Sequence, residues 1–205
     1  MIGPGKCQSG GRSLMARADQ WQTFRTTWGW MATAWREEKL FAFTFGHRGK
    51  VDALEWLGGT PGQFEVPSAA RFEERVRRYV SGDLAELDDV AVDITDFTPF
   101  QQSVLQACRK IPCGTVWTYG ELAACSGHPG AARAVGNVMR SNRHPLIIPC
   151  HRVVGASGKL VGYSAPGGLV KKKELLARER LFAAQASTCQ QKGNGYTVEI
   201  WYQRN

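Results

Sequence analysis

The sequence predicts an α+β chain, in which a small α/β unit is followed by a mainly helical second part. Two patterns and one stretch carry that expectation. Apolar residues alternate at the strand period before residue 50, and from residue 100 onward they recur at helical spacing. The charge divides at the same place. Residues 1–97 hold 12 Lys+Arg against 14 Asp+Glu, a net of −2, whereas residues 98–205 hold 14 against 4, a net of +10. The stretch is Leu146-Ile147-Ile148-Pro149-Cys150-His151-Arg152-Val153-Val154, an apolar run broken by a proline, a thiol and an imidazole.

A chain of 205 residues can hold one large domain or two small ones with their own cores. The expected division is a tail over 1–18, an α/β domain over 19–94, a second domain over 95–183 and a tail over 184–205. A basic second half points to a polyanion, most often nucleic acid, although such a surface can also serve solubility alone. The six cysteines, at 7, 108, 113, 125, 150 and 189, form no Cys-x-x-Cys pair and have no histidine at finger spacing. Neither a disulfide framework nor a metal is therefore expected. No run is apolar over a membrane-spanning length, and residues 1–20 lack a signal-peptide core. A soluble protein of a reducing compartment is expected, cytoplasmic if bacterial and nuclear if eukaryotic. The basic, glycine-bearing start faintly resembles a transit peptide, but a loose tail or a start at Met15 explains it better.

Residues 22–28 and 39–45 alternate as strands do, giving two or three antiparallel strands between 21 and 47. Residues 67–80 carry Phe72, Val76, Tyr79 and Val80 at helical spacing, with Pro67 at the start and Gly82 past the end. The acidic segment 83–96 connects the halves. Residues 100–110 place Phe100, Val104, Leu105 and Cys108 on one helical face and stop at Pro112 and Gly114. A short helix over 120–125, a turn over 126–130 and a helix over 131–142 resemble a helix-turn-helix. On the last helix, Ala131, Val135, Val138 and Met139 share one face. The opposite face is Ala132, Arg133, Gly136, Asn137 and Arg140, small or cationic. Such a face can approach a groove roughly 6 Å wide, or can simply be solvated.

Three branched aliphatics before Pro149 suit a buried strand that ends where Cys150 begins. Taken alone, the stretch is better read as holding a structural cysteine than a nucleophile. Consecutive residues of an extended segment point to opposite sides, so proton transfer from Cys150 to His151 needs a bend or a water. After a glycine-rich loop over 155–168, a helix over 169–182 sets Glu179 on its apolar face, four residues after Leu175. A buried carboxylate needs a partner. The imidazole supplies one, and surface pairing with Arg178, Arg180 or Lys172 is the competing reading.

Pro149-Cys150-His151-Arg152-Val153, preceded by Ala131-Ala132-Arg133-Ala134-Val135-Gly136 and Asn142 and followed by Gly162-Tyr163, Gly167-Gly168-Leu169 and Leu175-Leu176-Ala177-Arg178-Glu179, resembles the O6-alkylguanine-DNA alkyltransferase family. The likeness runs from about residue 100 to 179. It implies a ribonuclease-H-like first unit, a winged-helix-like helix-turn-helix in the second, and a monomer that binds double-stranded DNA containing O6-alkylguanine through the minor groove. The alkyl group would pass once to Cys150, with O6-methylguanine as substrate and alkylthymine left open. His151 would act as base through a water, Glu179 would hold the imidazole, and Asn142 would be the hinge. Arg133 would fill the gap left by the extruded base, beside the small Ala132 and Gly136. Tyr119 would crowd the 3′ phosphate and donate a proton to the leaving guanine. Val153, Tyr163 and Ser164 would border the alkyl pocket, and Lys172 aligns with a lysine near the cysteine. No cofactor is implied.

Two departures stand out. Ser164, Ala165 and Pro166 make the link from Tyr163 to Gly167 longer than is usual in the family, and neither Cys7 nor His47 matches the zinc ligands of some members. A helix-turn-helix regulator, a Cys-His hydrolase and a lesion-binding relative without transfer remain as rivals.

Overall fold

The computed structural model describes residues 18, 20–59, 67–82, 87 and 89–189. The expected N-terminal tail up to residue 17, the start at Met15 and the strand expected over 196–202 lie outside these residues, as does Cys7.

The first part is an antiparallel sheet in the order β1 (Gln20–Thr26), β2 (Gly29–Arg36), β3 (Lys39–His47). The β2–β3 turn is made by Glu37 and Glu38, both left-handed at φ 46° and 63°. That conformation matches the twist of paired strands and is usually left to Asn or Gly. Here the Glu38 carboxylate also accepts hydrogen bonds from the backbone and hydroxyl of Ser68, so the strained turn caps a helix start. That helix is α2 (Pro67–Ser81), whose Phe72, Val76, Tyr79 and Val80 pack on Phe24, Met31, Trp35, Phe43 and Phe45 of the sheet. The other face, with Ala32, Ala34, Phe41 and Ala42, is covered by a second helix, α1 (Lys50–Leu57). The sequence reading did not foresee α1. Its eight residues are too few to display a periodicity, and small alanines in the facing strands supply the fit.

The second part opens with α3 (Pro99–Arg109), capped reciprocally by Thr98 and Gln101. Next come β4 (Trp117–Thr118) and α4 (Tyr119–Cys125), capped by Thr118 and Glu121, then a turn and α5 (Ala132–Arg140). Val135, Val138 and Met139 of α5 are buried against Val104, Leu105 and Cys108 of α3, while Arg133, Asn137 and Arg140 are exposed. This is the face division that the helical spacing predicts. The last helix, α6 (Gly168–Cys189), runs past the expected end at 182. Among the described residues no helix is long and apolar enough to cross a membrane.

The segment before the cysteine corrects the sequence reading. Leu146, Ile147 and Ile148 form no strand. They form a turn closed by Ile148 N–H to the His144 carbonyl at 2.8 Å, with Leu146 left-handed at φ 73°. Cys150–Arg152 is one 3-10 turn, and pairing resumes only at β5 (Val153–Val154), parallel to β4. The physical reason is that the aliphatics are buried in two different cores. Leu146 and Ile147 enter the one under the sheet, and Ile148 enters the helical one. An apolar run reports burial and not conformation, and prolines at 145 and 149 withhold the donors a ladder needs.

Candidate active site

The 3-10 turn presents Cys150 at the junction of both parts. Its geometry begins with Asn142, just past α5. The Asn142 amide donates to the Ile148 carbonyl at 2.8 Å, and its carbonyl oxygen accepts from the His144 N–H at 2.9 Å. One side chain thus ties together both ends of the turn, and Cys150 N–H closes onto the same Ile148 carbonyl at 2.8 Å. Burial pushes the Cys150 thiol up, against the opposing pull of the Asn142 amide, the Lys172 charge and the N–H groups of the turn. At rest the group is a thiol.

His151 is fully buried, with Nε2 2.8 Å from Glu179 Oε1. Burial lowers its pKa, with Glu179 opposing, so the ring is neutral near pH 7. An ionised carboxylate can only accept, which puts the proton on Nε2. Nδ1 then carries a free lone pair, and it has no hydrogen-bond partner among the described residues. Burial alone would raise the Glu179 carboxyl. The neighbouring His151 and the charge and hydrogen bonds of Arg152 outweigh it and hold the group well below the usual carboxylate range. Because Arg152 stays charged while His151 is neutral at rest, the guanidinium is the dominant support. It reaches both carboxylate oxygens, with Nε at 3.0 Å from Oε2 and Nη2 at 2.9 Å from Oε1. The Tyr79 hydroxyl of α2 donates to Oε1 at 3.1 Å, and Gly114 N–H to Oε2 at 3.3 Å. The carboxylate is buried among these partners rather than paired at the surface.

Lys172 is also fully buried. Its ammonium donates to the carbonyls of Val153 at 2.6 Å, Val161 at 3.0 Å and Gly162 at 3.3 Å, pinning the loop before α6 to β5. Burial brings its pKa down to about 8, and negative charge on Cys150 or Cys108 acts the other way. The Tyr119 hydroxyl donates to the Val161 carbonyl at 3.4 Å, and burial raises its pKa, so the phenol keeps its proton. A Cβ on Gly136 would lie 3.9 Å from the Tyr119 ring, so α5 and α4 meet closely there. Tyr163 packs against both cores, its hydroxyl buried with no hydrogen-bond partner among the described residues. Cys150, His151, Glu179, Asn142, Lys172, Tyr119, Val153 and Tyr163 are thus drawn together. Ser164 is exposed in the loop, Ala132 is half-buried, and Arg133 is exposed on the outward face of α5.

Sequence reasoning missed the partners that hold Glu179. Nothing in the sequence around Arg152 aims it at Glu179, 27 residues on, and Tyr79 and Gly114 lie 100 and 65 residues from Glu179 and leave no local signal.

Comparison with known proteins agrees with this arrangement. Residues 99–181 match the model of the 6-O-methylguanine DNA methyltransferase DNA-binding domain. The methylated-DNA–protein-cysteine methyltransferase of Salmonella typhimurium is 38% identical over 163 residues, 80% of this chain and 82% of its own length. The same-named protein of Mycobacterium tuberculosis is 47% identical over 107 residues, 52% of this chain and 62% of its own. Among solved structures, Mycobacterium tuberculosis O6-methylguanine methyltransferase superposes with a TM-score of 0.63 at 36% identity, covering 79% of this chain and 93% of that one. The Mycobacterium tuberculosis OGT crystallised in complex with DNA gives 0.64 at 35% identity, with the same coverage. With that identity sustained over four-fifths of its length, the chain belongs to the methylated-DNA–protein-cysteine methyltransferase family.

Proposed function

We propose that this protein repairs DNA by direct reversal, moving the alkyl group of O6-methylguanine to its own Cys150, irreversibly and once per molecule. The observation that carries this reading is the buried His151–Glu179 pair beside Cys150, with no hydrogen-bond partner on the imidazole Nδ1 among the described residues. A water bridging Sγ and Nδ1 passes the thiol proton to the ring, and Glu179 stabilises the imidazolium that forms. The thiolate attacks the alkyl carbon, the C–S bond forms as the C–O bond breaks, and the electron pair leaves with the guanine. Tyr119, still protonated, supplies the proton that the departing base takes up. The thioether cannot be hydrolysed by the same groups, which is why the step ends the protein's working life.

A thiolate held in this turn cannot line up behind an alkyl group on a stacked base, so the guanine is extruded, at a cost of a few kcal/mol. Arg133 fills the space, and Ala132 and Gly136 let α5 approach the minor groove. The net +10 of residues 98–205 supplies phosphate contacts. In this reading the protein works as a monomer. A ribonuclease-H-like unit over 19–94 supports a winged-helix-like domain over 95–183, and Val153, Tyr163 and Ser164 border the alkyl pocket.

The test is a single-turnover incubation with a duplex carrying one O6-methylguanine, followed by intact and peptide mass spectrometry, with Cys150→Ala beside it. One methylene gained on the Cys150 peptide, absent from the variant, is the expected result. Binding without a mass change would leave a lesion-binding or regulatory protein.

A further inference from the structure

The mechanism above makes no use of His144, although no other histidine is more deeply enclosed. It is 0% exposed, in the middle of the link between Asn142 and Cys150. Three bonds converge on it. Its N–H donates to Asn142 Oδ1 at 2.9 Å, its carbonyl accepts from Ile148 N–H at 2.8 Å, and its ring Nε2 lies 3.0 Å from the Leu40 carbonyl of β3. The first two bonds shape the turn that delivers Cys150. The third leaves the second part altogether and lands on the edge strand of the first.

Its neighbour reinforces that attachment. The Arg143 carbonyl accepts from Phe43 N–H of β3 at 2.8 Å, and the Arg143 guanidinium stacks on Phe41 at 4.2 Å and Phe97 at 4.5 Å. The link therefore lies along the outer edge of β3. The turn needs such an anchor because it holds Leu146 in the left-handed region, a conformation that is costly for a bulky residue and persists only when its surroundings impose it.

We propose that His144 is a positioning residue for alkyl transfer, anchoring the turn that carries Cys150 to the Leu40 carbonyl so that the N-terminal sheet sets the attack geometry of the thiolate. The proposal rests on the alkyl-transfer reading and assigns to the first part of the chain a share in the chemistry. His144 touches neither substrate nor thiol. It acts through Asn142 and Ile148, both of which bear directly on the cysteine.

The experiment compares His144→Leu and His144→Gln with the wild type in single-turnover methyl transfer from an O6-methylguanine duplex, alongside duplex affinity and thermal unfolding. His144→Leu removes the ring donor, and the Leu40 carbonyl keeps its bond from Asp93 N–H at 2.8 Å, so no acceptor is orphaned. Its transfer rate is expected to fall at least ~10-fold and up to about 10²-fold, the scale of a misplacement of about 1 Å. Duplex affinity should stay within about twofold. Glutamine, whose Nε2 can reach the same carbonyl, restores most of the rate. A merely structural histidine would lower the unfolding temperature and leave the rate of the folded protein alone. A folded His144→Leu that transfers at the wild-type rate overturns the proposal. If that variant does not fold, His144→Asn, too short to reach Leu40, takes its place with the same expected loss, and a wild-type rate in it overturns the proposal equally. A wild type that transfers nothing overturns the alkyl-transfer reading instead, and is seen in the first arm.

Discussion

At the scale of single residues the site is a problem of holding charge out of water. Glu179 is 1% exposed, and an isolated carboxylate there would neutralise itself. Arg152 prevents this, and with the carboxylate ionised the imidazole beside it can accept a proton without creating an unpaired charge. Glu179→Gln keeps the size and one hydrogen bond but removes that compensation. Methyl transfer is expected to slow by roughly 10²-fold, the contribution of one positioned acid–base partner, with duplex affinity unchanged in a binding assay. An unchanged rate would remove Glu179 from the mechanism. Lys172 sets a limit at the other end of the pH range. Its folded pKa is about 8, below its ordinary value of 10.5, so the folded protein discharges it as pH rises through 8. The charge that helps ionise Cys150 is then lost, together with one of the donors pinning the loop. The transfer rate should decline above about pH 8 and should hold down to below pH 6.5, because burial delays protonation of His151. A rate profile from pH 5.5 to 9.5 checks both limbs, and Lys172→Met should lack the upper one.

At the scale of elements, each part of the site is carried by a short unit that its ends define. The capping boxes of Thr98 with Gln101 and Thr118 with Glu121 begin α3 and α4, and α5 is placed by its buried Val135, Val138 and Met139. That leaves Arg133, Asn137 and Arg140 exposed on the outward face of α5, the face proposed to meet DNA. Arg133 stands at its N-terminal end, where a side chain entering the base stack would replace lost stacking. Arg133→Ala is expected to slow transfer from a duplex about tenfold, equivalent to about 1.4 kcal/mol, while transfer from a free O6-alkylguanine base stays at the wild-type rate. Equal losses on both substrates would mean that Arg133 does not serve extrusion. In the loop before α6, Ala165 packs on the core under the sheet, so the link between Tyr163 and Gly167 is seated on the first part of the molecule.

At the scale of the molecule, the two parts share the site. Tyr79 of α2 reaches Glu179, Leu40 of β3 holds His144, and Tyr163 packs against both cores. This joint is sensitive to acid. Burial pushes His144 down to about 3, with Arg143 acting in the same direction, against the Leu40 carbonyl and Asp93. The unfolded chain protonates this histidine near 6.5 and the folded one does not until about 3, so the unfolded state binds more protons between these values. Stability is fully present above 6.5 and is lost as pH falls, by about 1 kcal/mol per pH unit for this group. His151, also lowered by burial, adds to the same slope. Denaturant unfolding at pH 7, 6, 5 and 4 should show a shallower fall in His144→Gln than in the wild type. Parallel slopes would mean that His144 is charged in the folded protein.

The sequence by itself determined what local rules can carry. Alternation set the strands of the first part, and helical spacing set α2, α3, α5 and α6 and put Glu179 on the apolar face of α6, with burial and surface pairing both open. The motif around Cys150 carried the family, because those residue types at those spacings serve little else. Only the tertiary structure decided the rest. Three aliphatics in a row satisfy a strand and a buried turn equally, and the choice was made by two cores pulling Leu146 and Ile148 to different sides. An eight-residue helix shows no period of its own, so α1 exists by virtue of the alanines it covers. The partners of Glu179, and the hold of His144 on Leu40 104 residues away, are contacts between distant segments. Such contacts are chosen by packing after the chain has collapsed, and no window of the sequence contains both ends.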